Sequence, residues 1–165
     1  MTCASVMVPV WRYAQLNVSF LVCLLMSGPG IAAGQRISSP VSTMDLAATF
    51  CDWGGAELPA EAQAKSLTPL LEHGTPVQGH VYNEWNLAPA RVGVALELRT
   101  IRSETARLTV DLSSGAGELY DLMNDPDEMH NLWDDPATKG LQQELMDCVY
   151  QRPGGIMEEF PEHTE

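Results

Sequence analysis

The densest group of side chains that could hold a metal ion lies between residues 121 and 130. Four carboxylates and one imidazole occur there: Asp121, Asp125, Asp127, Glu128 and His130. A calcium loop of the EF-hand type requires a glycine at its centre and a glutamate at its last position, and this stretch has neither at the required spacing. We therefore predict that these residues form turns and that the chain binds no metal.

Thiol chemistry is the second possibility that the residue types suggest. Four cysteines are present, namely Cys3, Cys23, Cys51 and Cys148. No two of them have the C-x-x-C spacing that a zinc site or a redox centre shows. Two lie in apolar runs, where a free cysteine packs as a small hydrophobic residue. We predict reduced, structural thiols.

The acidic side chains are concentrated near the C-terminus. The chain of 165 residues has a formal net charge of −13. Residues 1–110 hold eight acids and seven bases, whereas residues 111–165 hold fourteen acids and two bases. Such a surface repels phosphate backbones and anionic lipid. We therefore expect neither nucleic acid nor a membrane as a partner.

Residues 1–34 have the pattern of a secretory signal peptide, because Arg12 precedes the apolar stretch VSFLVCLLM and two alanines follow it. At about nine residues the stretch is too short to span a bilayer. Its valines and phenylalanine favour a buried strand over 18–27, which the Gly-Pro-Gly turn at 28–30 would end. We prefer the strand, and with it a cytoplasmic rather than a periplasmic or secreted protein. The alternative is a small acidic secreted protein cleaved after Ala33 or the next residue.

Two helices are predicted after this segment. Ser42 or Thr43 can cap a helix over 43–53, with Asp45 in its first turn and two glycines at its end. Its apolar positions follow a 3.6-residue period and are expected to face the core: Met44, Leu46, Ala47, Phe50 and Cys51. A second, short helix is predicted within SLTPLLEHG, at residues 66–74.

From residue 79 the hydrophobic period changes to two, which is typical of strands with one buried and one solvated face. GHVYNEW is predicted as a short strand, RVGVALELRTI and TARLTVDL as a hairpin, and ELYDL as a further strand. An amphipathic helix over 138–150 follows, with Leu141 and Leu145 on its apolar face. We predict that residues 79–122 form a small antiparallel sheet covered on one face by this helix, in an α+β fold.

Three motifs, in this order, resemble the end of a type I sulfatase of the alkaline-phosphatase-like superfamily. LLMSGPGIAAGQRISSPVSTMDLAATFCDWGGAELP resembles that family's strand, Pro-Gly turn and "VS-x-x-DL-x-x-T" helix, and SLTPLL resembles its "SL-x-PLL" element. GELYDLMNDPDEMHNL matches the closing signature "ELYDL-x-x-DP-x-E-x-x-NL" almost position for position. The resemblance covers about residues 20–150. In the closing signature we expect apolar anchors at Leu119, Leu122 and Leu132, and an Asn131 side chain bonded to backbone.

The resemblance implies how the chain is divided. Residues 18–75 would be the end of the large α/β catalytic domain, with one strand and helices. Residues 76–152 would be the C-terminal subdomain, a small antiparallel sheet packed by the C-terminal helix. A divergent stretch over 1–17 would precede them, and a flexible tail over 153–165 would follow.

The resemblance also implies which catalytic groups are absent. In the family the nucleophile is a formylglycine made from the first residue of Cys-x-Pro-x-Arg or Ser-x-Pro-x-Arg, and a divalent cation, usually calcium, lies beside it. The sequence has neither motif, and the nearest run, CVYQR from Cys148, has tyrosine in place of proline. No lysine precedes Lys65, although the family's last catalytic lysine would lie before the strand. We predict no catalytic residue and no cofactor in this chain. The divalent cation and the formylglycine would both belong to a missing N-terminal half. We therefore expect no hydrolysis of p-nitrophenyl sulfate by the chain alone.

In the resembled family the region GHVYNEWNLAPAR lies near the mouth of the active site. This makes Asn83, Glu84, Trp85 and Arg91 candidates for lining the substrate. Trp85 would offer an aromatic face and Arg91 a cation. The alternative is that Trp85 belongs to the core and that Arg91 is solvated.

Two arginines lie in the predicted hairpin. Arg99 and Arg102 occupy positions where the family often shows "R-T-x-R-x-x-x-Y-K", with Ala106-Arg107 in place of Tyr-Lys. Because the C-terminal third is so acidic, we interpret Arg99 and Arg102 as structural ion-pair partners of that third.

The sequence supports three functional interpretations. The first is the C-terminal part of a sulfatase, which is a sulfuric ester hydrolase. It would be active only when the missing half completes it, and its partner would be that half or a second copy of the chain. The second is a stand-alone, non-catalytic binding module, and the third is a fragment of a related phosphodiesterase or phosphonate hydrolase. The closing signature favours the sulfatase, and aryl, choline and sugar sulfates remain open as substrates. A strand over 18–27 that is apolar on both faces would leave an apolar surface open.

Overall fold

The computed structural model of the chain describes residues 24–87 and 96–152. Two helices come first, then four strands and a closing helix. Their bounds are Met44–Gly54 for α1, Thr68–His73 for α2, His80–Leu87 for β1, Leu96–Ser103 for β2, Ala106–Asp111 for β3, Gly117–Asp121 for β4 and Lys139–Tyr150 for α3. This order confirms the predicted helices, the hairpin and the α+β class. Among the described residues, no helix is both long and apolar enough to cross a bilayer.

The four strands form one antiparallel meander in the order β1-β2-β3-β4. One face of this sheet packs against α3. The apolar side chains that meet there are buried or half-buried, namely Ile101, Leu108, Leu119, Leu141, Leu145 and Val149. The predicted sheet with a helical cover on one face is therefore confirmed.

Strand β3 is buried on both of its faces, although the period-two pattern predicts one solvated face. All six of its residues are buried. On the side away from α3 these include the polar residues Arg107, Thr109 and Asp111. The loop after β4 lies over this side, because Glu128 of that loop bonds to Arg107. At Arg107 the polar side of β3 therefore faces an acidic loop and not solvent.

Asp111 organises the tight connection between β3 and β4. Its carboxylate accepts hydrogen bonds from the hydroxyl groups of Ser114 at 2.5 Å and Ser113 at 2.9 Å, and from the backbone N–H of Glu97 at 2.9 Å. The bonds from Ser114 and Glu97 hold the pKa of Asp111 well below its ordinary value, because they stabilise the charged form. One side chain thus fixes the SSGAG loop.

The start of β4 is packed against an aromatic ring. A Cβ atom added to Gly117 would overlap the ring of Trp133. The same segment is bound to β4 by Asn131, whose side-chain oxygen accepts hydrogen bonds from the backbone N–H groups of Leu119 at 3.0 Å and Trp133 at 2.9 Å. The predicted backbone bonding of Asn131 is confirmed. The ring of Trp133, which this segment places against β4, explains why glycine stands at position 117.

Two buried polar side chains of α1 hold the helical segment together. The carboxylate of Asp45 accepts hydrogen bonds from the backbone N–H of Lys65 at 2.9 Å and from the side-chain amide of Gln78 at 2.8 Å. The hydroxyl of Thr49 donates to the Asp45 carbonyl at 2.6 Å and accepts from the backbone N–H of Leu67 at 2.9 Å. The Asp and Thr of the "DL-x-x-T" motif thereby join α1 to the segments that lead into α2 and β1.

Helix α1 directs most of its apolar side chains outward. The exposed ones are Met44, Ala47, Phe50 and Trp53. Leu46 packs against the core as predicted, but the predicted core role of Met44, Ala47 and Phe50 is wrong for this structure. The reason is that Asp45 and Thr49 must reach their buried partners, which fixes the rotation of the helix about its axis.

A second apolar cluster lies around α2. Its buried members are Met26, Ile31, Leu67, Leu70 and Leu71. Gly74 ends the helix in the left-handed conformation, with φ of 68°. Of the strand predicted over 18–27, residues 24–27 are described, and they do not form a strand. All four described strands belong to the C-terminal sheet. The remainder of that prediction, and most of the signal-like segment, lie outside the described residues.

Both cysteines in the described part of the chain, Cys51 and Cys148, are half-buried free thiols, in agreement with the prediction. Cys3 and Cys23 lie outside the described residues.

Replacing Gly117 by alanine is expected to destabilise the protein by about 1–3 kcal/mol, because the new methyl group overlaps Trp133 and the packing must shift. Gly140→Ala is the matched control. Nothing lies near its Cβ position in α3, and alanine is the better helix former by about 0.5–1 kcal/mol. Urea unfolding of the two variants measures the difference. A Gly117→Ala protein as stable as Gly140→Ala would show that Trp133 does not constrain β4.

Candidate functional site

The candidate substrate residues on β1 are divided between the two faces of the sheet. Successive side chains of a strand point to opposite faces. Asn83 and Trp85 therefore lie on the face away from α3, and Glu84 lies on the α3 face. Trp85 is 46% exposed, so its alternative assignment to the core is wrong. Arg91 lies outside the described residues.

Glu84 is engaged in ion pairs. Its carboxylate contacts the guanidinium of Arg152 directly and lies 3.5 Å from Nε of Arg99. Arg99 is buried, and its Nη1 donates to Oδ1 of Asn86 at 2.7 Å. Arg99 therefore pairs within β1 and β2 and not with the acidic C-terminal third, which corrects the prediction. Glu84 is held by arginines, whereas Trp85 is open.

Tyr82 joins β1 to the end of α3. Its hydroxyl donates to the carbonyl oxygen of Cys148 at 3.1 Å and lies 2.8 Å from Nε2 of His80. A phenol has only one proton, so the donor and acceptor in the contact with His80 follow from the tautomer of that imidazole. Burial raises the pKa of Tyr82, which keeps the phenol neutral. These bonds set the position of β1, and so of Trp85, relative to the helix.

A cavity of about 300 Å³ lies on the face of the sheet that carries Trp85. Its lining combines two leucines of β2 with polar residues of β3 and β4, including Leu98, Thr109 and Glu118. Leu98 lies directly opposite Trp85 in the β1–β2 register. An exposed aromatic ring therefore stands next to a concave surface that offers both apolar contact and hydrogen-bond acceptors.

On the same face of the sheet, a buried ion pair joins β3 to the loop after β4. Nε and Nη2 of Arg107 bond to the two carboxylate oxygens of Glu128 at 2.9 and 2.7 Å, and both side chains are at most 2% exposed. Nη1 of Arg107 donates to the hydroxyl of Thr109 at 2.8 Å, and its guanidinium lies 4.8 Å from the ring centre of Tyr120. Every nitrogen of Arg107 thus has a partner.

The same carboxylate binds a second arginine. Nη1 of Arg102 lies 3.4 Å from Oε1 of Glu128, which confirms the predicted pairing of Arg102 with the acidic third. Burial lowers the pKa of Arg102, although the adjacent Glu128 partly offsets this. The sequence indicated Arg102 but missed Arg107. The available signal was the basic residue at position 107, where the resembled family's "R-T-x-R-x-x-x-Y-K" pattern has its lysine.

The other acids of the closing signature are used in turns. Asp121 accepts hydrogen bonds from the side chain of Asn124 at 2.7 Å and the backbone N–H of Met123 at 3.0 Å, and Asp125 accepts from the backbone N–H of Met129 at 3.0 Å. These bonds lower the pKa values of both aspartates. Among the described residues, no three histidine, cysteine, aspartate or glutamate side chains converge as metal ligands.

The run that most nearly resembles a sulfatase nucleophile motif is part of α3 and its end. Cys148 lies in the helix, half-buried, and its carbonyl binds Tyr82. Arg152, the last residue of the run, donates from Nη1 to the carbonyl of Val149 at 3.0 Å and also pairs with Glu84. These contacts give the run a structural role at the junction of α3 and β1.

Comparison with known proteins agrees with the closing signature. The model of the family described as N-sulphoglucosamine sulphohydrolase, C-terminal, matches residues 12–152. The delta 4,5-hexuronate-2-O-sulfatase of Bacteroides thetaiotaomicron is 33% identical over 127 residues, which cover 73% of this chain and 25% of that protein. Arylsulfatase K of Homo sapiens is 33% identical over 129 residues, covering 74% of this chain and 24% of the relative.

The structural comparison gives the same result. The solved structure of BT4656 in complex with its substrate D-glucosamine-2-N,6-O-disulfate superposes with a TM-score of 0.68 and 28% identity. The superposition covers 78% of this chain and 27% of that one. The chain therefore spans about a quarter of the length of the relatives it matches.

Removing one partner of the buried ion pair is expected to destabilise the protein by about 3–5 kcal/mol, because the remaining charge stays buried without compensation. Glu128→Gln and Arg107→Met test this from the two sides, and their combination gives the coupling free energy between them in a double-mutant cycle. Glu72→Gln is the control, since the contact of Glu72 with His73 is long and exposed, at 3.8 Å. Its expected effect is below about 0.5 kcal/mol. Chemical unfolding that finds Glu128→Gln as mild as Glu72→Gln would contradict the role of the pair.

Proposed function

Because this chain belongs to the family of N-sulphoglucosamine sulphohydrolase C-terminal domains, we propose that it completes a sulfate-ester hydrolase whose catalytic groups lie in an upstream portion. The reaction consumes water and releases sulfate and an alcohol. The observation that carries the proposal is the family match over residues 12–152 in a chain that spans about a quarter of its relatives. The motif residues in this chain serve packing and turn formation, as expected of a part that supports a site built elsewhere.

The described residues do not fit the two cofactors that sulfatases use, a calcium ion and formylglycine. The aspartates of the closing signature bind backbone N–H groups and do not converge with other metal ligands in the part of the chain that the structure describes. Cys148 lies within α3 and lacks the proline of the nucleophile motif. We therefore assign both cofactors to the upstream portion.

The substrate that these features favour is a sulfated saccharide. Two observations support it: the relatives named above include a hexuronate sulfatase, and the matched structure binds a glucosamine disulfate. In this chain the ring of Trp85 is open beside a cavity, and aromatic rings combine apolar area with a polar edge, which suits the faces of a sugar. We propose that Trp85 and Asn83 contact the saccharide outside the reacting sulfate, while Glu84 is held on the opposite face by its arginines.

The completed enzyme tests the proposed function. With calcium, the chain alone is expected to show no turnover of p-nitrophenyl sulfate, since it lacks a nucleophile. Replacing the C-terminal quarter of the Bacteroides hexuronate sulfatase by this chain is expected to restore hydrolysis that the truncated relative lacks. Turnover by the chain alone that survives Cys148→Ala would place a catalytic group here and contradict the proposal. A folded but inactive chimera would also count against it.

Trp85→Ala in that chimera is expected to raise KM for a sulfated disaccharide about tenfold with kcat unchanged, which corresponds to about 1.4 kcal/mol of lost binding. The expected change for p-nitrophenyl sulfate is small, because that substrate has no sugar ring. Tyr150→Ala removes an exposed aromatic ring of α3 and serves as the control. Equal effects of the two substitutions, or a loss confined to kcat, would exclude a saccharide contact at Trp85.

A further inference from the structure

Helix α1 has the opposite polarity to an ordinary surface helix. Its outer face consists of Met44, Ala47, Phe50 and Trp53 and carries no charged residue. Phe50 and Trp53 are 59% and 46% exposed. Its inner face carries Asp45 and Thr49, which are fully buried. A surface helix normally turns its polar side to water, so this arrangement indicates that the outer face is covered in the functional protein.

The helix cannot bury this face by rolling about its axis. Besides the bonds of Asp45 and Thr49, the carboxylate of Asp52 accepts hydrogen bonds from the hydroxyl groups of Ser66 at 2.6 Å and Thr68 at 2.7 Å. The bonds to Ser66 and Thr68 lower the pKa of Asp52 and keep it charged. Three polar side chains thus fix the rotation of α1, and rolling would leave the buried Asp45 and Thr49 without their partners.

The outer face also has the composition of a binding surface. The rings of Phe50 and Trp53 lie against each other, with centroids 6.2 Å apart and planes tilted by 57°. Aromatic residues that are rigid before binding lose little entropy and contribute most to association. An apolar helical face of three turns fits an apolar groove or sheet surface in a partner.

We propose that the outer face of α1 is the surface on which the upstream catalytic portion of the sulfatase docks. This inference rests on the proposed function. Three quarters of the relatives' length lies outside this chain, and the matched family is the C-terminal one, so the missing portion precedes α1. A second copy of the chain is a poorer occupant, because two chains with a net charge of −13 each repel one another.

The test measures binding of the full chain to the catalytic portion of the Bacteroides hexuronate sulfatase lacking its own C-terminal quarter. Phe50→Glu/Trp53→Glu is expected to weaken this binding at least a hundredfold, because two aromatic anchors are replaced by charges. Met123→Glu/Met129→Glu is the matched control, since these methionines are equally apolar and exposed but lie on the closing signature loop. Its expected binding is that of the unmodified chain. Circular dichroism verifies that each variant keeps its fold.

The outcomes separate this inference from the proposed function. If the unmodified chain binds and the α1 variant binds equally well, the docking surface lies elsewhere and the proposed function stands. A further outcome is that sedimentation shows a dimer of the unmodified chain, a monomer of Phe50→Glu/Trp53→Glu, and no binding of the catalytic portion. In that case a second copy covers the outer face of α1, and the inference is overturned. Absence of any binding, together with an inactive chimera, would overturn both.

Discussion

The four-stranded sheet and its loops depend on the buried ion pair between Arg107 and Glu128. Desolvating two charges is costly, and here the cost is offset by bidentate geometry, by the hydrogen bond to Thr109 and by the cation–π contact with Tyr120. Glu128 adopts a positive φ of 54°, a conformation that disfavours side chains and that the pair must stabilise. The pair brings an acidic loop onto the polar side of β3, and a four-stranded sheet with one helix thereby gains a second cover.

Four aspartates also stabilise the fold, each by accepting hydrogen bonds within a turn or between segments. Asp45, Asp111, Asp121 and Asp125 each accept hydrogen bonds from N–H or hydroxyl donors of nearby or distant segments. A carboxylate that closes a turn in this way is fully used, so the many acids of the chain are compatible with the lack of a metal cluster among its described residues. These four carboxylates therefore contribute to the fold through hydrogen bonds to neighbouring segments.

Two surfaces stand apart from this network. Trp85 is exposed on the sheet face away from α3, where the cavity also lies, and the outer face of α1 has apolar side chains where a surface helix has charges. Both surfaces contain aromatic residues fixed by hydrogen-bonded neighbours and not by their own burial. We relate the first to the saccharide and the second to the upstream portion, since one combines concavity with polar groups and the other is uniformly apolar.

The helices, the strands and the family could all be predicted from the sequence. The capping residues and glycines placed α1 and α2, the period-two runs placed the hairpin, and the closing signature identified the sulfatase resemblance, because all of these signals are local. Which face of α1 is buried could not be predicted, since it depends on contacts of Asp45 with Lys65 and Gln78, which are distant in sequence. The pairing of Arg107 with Glu128 likewise depends on segments that are distant in sequence. A hydrophobic period shows that a helix has an apolar face, but only the distant segments that approach it determine whether this chain covers that face.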